Sequence, residues 1–105
     1  MKVRFVREPS EYDELALLAA DAPLGKEILD ECLAIAKLLV KKNAAYGNSA
    51  LEPVRVFSRA SVVEQLLVRI DDKLSRLSRG SAAGEDVEQD LIGYLFLLRI
   101  ARRRT

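Results

Sequence analysis

Apolar side chains recur along this chain at the i, i+3, i+4, i+7 spacing of amphipathic helices, in four separate stretches. The first is short. Ser10 stands as a cap before Glu11, Asp13 and Glu14, acids that suit the positive pole of a helix running to about Ala20. Asp21 and Pro23 punctuate a second start, and a helix is predicted from about Leu24 to Asn43. Its stripe is Ile28, Cys32, Ile35 and Leu39, widened by Leu29, Leu33, Ala36 and Val40, a breadth that predicts packing against more than one neighbour. Ser61-Val-Val-Glu64 reads as a capping box opening a third helix to about Ser78, with Val63, Leu66, Leu67, Ile70, Leu74 and Leu77 inward. The fourth helix, about Glu85 to Arg102, has Leu91, Tyr94, Leu95 and Leu98 on one stripe and Ile92, Phe96 and Ile100 on another. A helix apolar on two sides predicts burial on both. Four helices of this size could hardly enclose it alone, so a homo-oligomer, dimer or tetramer, through residues 87–100 is expected.

Between these stretches, residues 2–7 alternate Lys, Val, Arg, Phe, Val and Arg, the pattern of a short strand or an ordered arm. Residues 44–60 hold Tyr46-Gly47-Asn48-Ser49 and Pro53, and irregular connections of this length are often functional. The expectation is an all-α fold, a four-helix bundle-like domain. It is read as one domain over residues 1–105, with an N-terminal arm and short helix over 1–20 and core helices over 24–102.

Composition narrows the chemistry. The chain of 105 residues has no His, which removes the usual general base, the usual zinc ligand and every catalytic pair built on His. Its one cysteine, Cys32, excludes an internal disulfide and fits a reducing, cytoplasmic setting; its place on the apolar stripe predicts a buried, inert thiol. A net charge of +1 gives no general pull toward nucleic acid, and Arg99, Arg102, Arg103 and Arg104 form only a basic tail. The start shows no signal-peptide pattern, and the longest apolar run, Leu91 to Leu98, is too short to span a bilayer.

Three constellations remain. Arg69, Asp72, Lys73 and Arg76 share one helical face, three cations around one carboxylate, which is either a solvated ion-pair ladder or a grip for phosphate. Asp86 and Asp90 are like charges at i, i+4; they either complement the helix pole or hold Mg²⁺ or Mn²⁺. Glu64 and Asp71 share a side of the third helix and could extend an acidic cluster, as could Glu27 and Glu31 on the second. In the connection after the second helix, Gly47 permits a positive φ beside Tyr46. The Tyr46 ring could stack on a base and Asn48 could read a base edge; alternatively Gly47 is a helix C-cap and Tyr46 packs inward.

The order KKNAAYGNS (41–49), RIDDKLSRL (69–77), EDVEQDLIGY (85–94) resembles the phage and prophage family of the nucleotide modification associated domain, a small helical domain. The resemblance covers about residues 40–98. It places Lys42, Asn43, Tyr46, Gly47, Ser49, Arg69, Asp72, Lys73, Arg76, Asp86, Asp90 and Tyr94 on the family's marked positions. Ala45 stands where the family tends to have an acid, and Gly93 where it tends to have Asn. The acids on facing helices are also similar, more weakly, to the all-α nucleotide pyrophosphatases of the MazG and dimeric dUTPase type, which hold Mg²⁺ on paired acidic segments. Helical geometry favours Asp71 as a site acid; the family pattern favours Asp72.

Taken together, residues and resemblance lead to an expected reading. The chain binds a nucleoside phosphate with Mg²⁺ or Mn²⁺. Asp72, Asp86, Asp90 and Glu64 hold metal, Lys42, Arg69, Lys73 and Arg76 hold phosphate, and Tyr46, Asn48 and Tyr94 contact the base. If it is an enzyme, metal-activated water cleaves a phosphoanhydride. The alternative from a different class is a non-catalytic helical interaction module.

Overall fold

The computed structural model describes residues 8, 10–80, 84 and 86–104; the strand or arm expected over residues 2–7 lies outside the described residues. The fold is all-α, with four helices in the order α1 (Glu11–Asp21), α2 (Gly25–Tyr46), α3 (Val62–Arg79) and α4 (Val87–Arg103), and no strand among the described residues. The chain divides into two compact units, residues 1–36 and 37–105.

In the first unit, α1 starts on a complete capping box. The Ser10 N–H donates to Asp13 Oδ2 at 2.9 Å, and the Asp13 N–H donates to Ser10 Oγ at 3.3 Å. The Ser10 backbone N–H, and after it the Ser10 hydroxyl, hold the Asp13 carboxyl below its ordinary pKa. The cap is therefore in place above the usual carboxylate range and is lost as pH falls through the lowered value. The turn into α2 is tight: the Ala22 N–H donates to the Ala19 carbonyl at 3.3 Å and the Gly25 N–H to the Ala22 carbonyl at 3.1 Å. A β-carbon at residue 25 would overlap the Ala19 carbonyl, so only glycine fits there.

Little else in this unit is buried. Among its described residues only Gly25 and Ile35 are, and Tyr12, Leu17, Leu18, Leu24, Ile28 and Leu33 are all exposed. The expectation for Cys32 is corrected accordingly: its thiol is free and exposed. The apolar stripe exists as the periodicity requires, but the described residues leave most of it uncovered.

The second unit has a core. α3 begins at Ser61, whose hydroxyl accepts from the Glu64 N–H at 3.1 Å, and ends at Gly80, φ +84°. α4 begins at Asp86, whose Oδ1 accepts from the Gln89 N–H at 2.9 Å. The two helices pack antiparallel. Leu66 and Ile70 of α3 meet Leu98 and Ala101 of α4, flanked by Val62, Val63, Leu67, Leu91, Tyr94 and Leu97. Leu74 and Leu77, expected inward, lie beyond this contact and are largely exposed.

α2 runs three residues further than the pattern suggested, through Ala44 and Ala45 to Tyr46, and stops at Gly47, φ +70°. The Asn43 amide donates to the Gly47 carbonyl at 3.3 Å, and the Asn48 carbonyl accepts from the N–H groups of Leu51 and Glu52 at 3.2 and 2.7 Å. That turn delivers Leu51 to the α3–α4 core. Among the described residues no helix is long and apolar enough to cross a membrane.

Leu66 is almost wholly buried where α3 meets α4. Leu66→Ala should lower unfolding free energy by about 3 kcal/mol, the range for a truncated core leucine. Leu15→Ala, on exposed α1, should stay within about 0.5 kcal/mol. Urea unfolding of both variants checks the contrast.

Candidate functional site

The antiparallel register of α3 on α4 turns the cationic face of α3 into a ladder between helices. One step of four residues along α3, from Arg69 to Lys73, matches one step of four back along α4, from Tyr94 to Asp90. The Arg69 guanidinium lies over the Tyr94 ring, 6.0 Å from its centroid. Lys73 Nζ lies 3.3 Å from Asp90 Oδ2. One turn further out, Arg76 Nε pairs with Asp72 Oδ2 of its own helix at 3.1 Å. Arg69 and Lys73 thus reach partners on α4, while Arg76 pairs with Asp72 on its own helix.

Asp90 is the hub. It also takes Lys42 Nζ of α2, at 3.9 Å. Its side chain is 26% exposed and that of Lys73 only 12%, whereas Lys42 is half exposed. Removed this far from solvent, the Lys73–Asp90 pair is screened less than a surface pair, and losing either partner would leave a charge poorly solvated.

Beside this cluster is a cleft of about 360 Å³. One wall is Leu38, Leu39, Lys42, Asn43 and Tyr46 of α2, and the other is Gln89, Asp90, Gly93, Tyr94 and Leu97 of α4; Gly47 to Ala50 complete the lining. Each wall has the same spacing, n, n+1, n+4, n+5, n+8, which is a single helical face two turns long. Gly93 gives the cleft depth: a β-carbon there would come to 3.0 Å from Leu39 Cδ2.

The cleft thus brings together Lys42, Tyr46, Asn48, Asp90 and Tyr94 from the sequence-derived candidates, with Asn43 and Ser49. Lys73 joins through Asp90 and Arg69 through Tyr94. Asp72 and Arg76 are paired with each other on the exposed side of α3, Glu64 and Asp71 are exposed, and Asp86 serves as the N-cap of α4. Leu38, Gln89 and Leu97 are lining residues that sequence reasoning missed. The signal for them was available: Leu38 lies four residues before Lys42, Gln89 three after Asp86 and Leu97 three after Tyr94, each on the side of its helix that carries a candidate.

The acids proposed as metal ligands are not gathered. Among the described residues no three Asp, Glu or Cys side chains are grouped as a metal ion would require. The Asp90 carboxylate lies between two ammonium groups, and the Asp86 carboxylate accepts a backbone N–H. Among the described residues these acids do not come together as a single donor set.

No family model matches the chain, and no curated protein or solved structure matches it.

Asp90→Asn removes the carboxylate facing the almost buried Lys73 and should cost about 1–2 kcal/mol of unfolding free energy. Asp72→Asn breaks an exposed pair and should cost well under 1 kcal/mol. Denaturant titration separates them, and equal losses would show that Asp90 is no hub.

Proposed function

We propose that residues 37–105 bind a nucleoside phosphate in the cleft between the end of α2 and α4. The observation that carries this reading is the state of Lys42. Its side chain is half exposed at the cleft and its ammonium lies 3.9 Å from Asp90, while Lys73 holds the same carboxylate more closely at 3.3 Å. Lys73 already offsets the Asp90 charge, so Lys42 can turn to a stronger anion without leaving a carboxylate unpaired. A phosphate, with more charge and more acceptor oxygens than a shared carboxylate, is such an anion.

The remaining lining suits the other part of the ligand. A volume of about 360 Å³ falls in the range of small-molecule sites. Tyr46 and Tyr94 supply aromatic faces for a base. Asn43 and Asn48 each carry a donor and an acceptor, the equipment for reading a base edge. The same positions fall on the motifs that resemble the nucleotide modification associated domain.

A divalent ion enters this reading as the counter-ion that a nucleoside phosphate brings with it. The described residues group no three acids as a metal site would, and the chain has no His, so the reading is one of binding.

Calorimetry with ATP, dTTP, their nucleosides and inorganic tripolyphosphate, each with and without Mg²⁺, tests it. Lys42→Ala should weaken nucleotide binding by roughly 1.5–3 kcal/mol, the scale of a hydrogen bond to a charged group. Tyr46→Ala should weaken it by about 1–3 kcal/mol, the scale of a lost base stack, and leave tripolyphosphate unaffected. Asp90→Asn should leave nucleotide affinity equal or raise it, since a negative charge is removed from an anion site; a metal-bridged site would lose affinity instead. No heat with any nucleotide, or full affinity in Lys42→Ala, would sink the proposal.

A further inference from the structure

One apolar stripe on α2, exposed except at the half-buried Leu29, has the spacing of a seam. α2 runs unbroken from Gly25 to Tyr46, and on it Leu29, Leu33, Ala36 and Val40 follow one another at steps of four, three and four. That is the 3.5-residue repeat of helices that pack along each other. Leu33 is 56% and Val40 68% exposed, against 38% and 46% for Ile92 and Phe96 on the outer stripe of α4. At about 100° per residue, the seam lies roughly a third of a turn around α2 from the face of Leu39, Lys42 and Tyr46 that lines the cleft.

The residues flanking the seam say what fits it. Asp30 follows Leu29 and Lys37 follows Ala36, so both lie on one edge, about 10 Å apart along the axis and out of reach of each other. Within its own helix Asp30 takes Lys26, at 2.9 Å, in an exposed pair. The opposite edge holds Gly25, Cys32 and Leu39 and carries no charge. In a parallel pair of such helices the charged edge of one faces the uncharged edge of the other. In an antiparallel pair like edges face, and Asp30 comes beside Lys37 of the partner subunit, twice by symmetry. The same register stacks Leu29 on Val40 of the partner subunit and Leu33 on Ala36 of the partner subunit. Large thus meets small at the centre of the seam.

We propose that α2 pairs antiparallel with α2 of a second copy of this chain, forming a two-fold dimer through Leu29, Leu33, Ala36 and Val40 with reciprocal Asp30–Lys37 ion pairs. This stands apart from the nucleotide reading and uses a different face of the helix.

Sedimentation equilibrium of the full chain at micromolar concentration, with circular dichroism on the same samples, tests it. Wild type should be a dimer. Leu33→Glu should give monomer, or lose α2 helicity together with dimerisation. Lys37→Glu and Asp30→Lys should each raise the dimer dissociation constant by about fivefold, because each sets two pairs of like charges together. The double variant Asp30→Lys/Lys37→Glu should recover most of that loss. Since the two positions cannot pair within one helix, only the antiparallel partner explains recovery. A monomeric wild type overturns the proposal, as does a charge swap without recovery. A dimer indifferent to Leu33→Glu and broken by Phe96→Glu would move the interface to α4 and overturn it too.

Discussion

The antiparallel packing of α3 on α4 is the constraint from which the rest of the second unit follows. Leu66, Ile70, Leu98 and Ala101 are buried together, and each large apolar side chain buried there is worth about 1.5–3 kcal/mol. Exposed ion pairs are worth a few tenths. The apolar contact therefore sets the register, and the charges take the partners that register allows. With Leu66 near Leu98, one turn along α3 brings Arg69 to Tyr94 and the next brings Lys73 to Asp90. On a face that looked like three cations competing for one acid, two of the cations reach partners on the neighbouring helix.

The hub at Asp90 is what lets α2 take part. Lys42 reaches Asp90 from across the cleft, and Leu39 sits over Gly93, where the missing side chain leaves room for it. A glycine in a helix interior costs about 1 kcal/mol relative to alanine. Here that cost accompanies a cleft, since a larger residue at 93 would press on Leu39 and fill the space between the walls. The turn after Gly47 closes the same region by returning Leu51 to the α3–α4 core, so the cleft floor and the core share one segment.

The helices were legible because their signals are local. Ser10 and Ser61 cap where their hydroxyls predicted, and the apolar stripes follow helical period. The end of α2 falls three residues past the expected Asn43, because Ala44 and Ala45 are strong helix formers and the stop is the positive φ of Gly47. The faces were harder. Periodicity identifies the apolar side of a helix and is silent on what covers it, so Cys32, Ile28, Leu74 and Leu77 were expected inside and lie outside. In the site, Lys42, Tyr46, Asn48, Asp90 and Tyr94 were readable from residue type and from the resemblance. The partners of Arg69 and Lys73 were not, because they depend on register with another helix. Asp86 was a candidate ligand through its i, i+4 spacing with Asp90 and through the resemblance, with the helix pole as the alternative; with the first helical residue at Val87, its carboxylate falls on the cap.

α2 poses the sharpest physical question in the chain. Isolated helices in water are marginal even when well composed, and most helical stability in proteins comes from a packed face. α2 is 22 residues long, about 33 Å, and only Gly25 and Ile35 along it are buried. Its cleft face supplies little of the missing burial, since Lys42 is half exposed and Tyr46 is exposed. Its seam face can supply it. Leu29, Leu33, Ala36 and Val40 form an apolar line closed at one end by Lys26 and at the other by Asn43, polar residues in the next seam positions. A line of that length, with polar ends and one charged edge, is complete in itself and fits a partner of equal length and opposite direction. An identical copy run backwards meets both conditions, because reversing this helix exchanges Asp30 for Lys37 and Leu33 for Ala36.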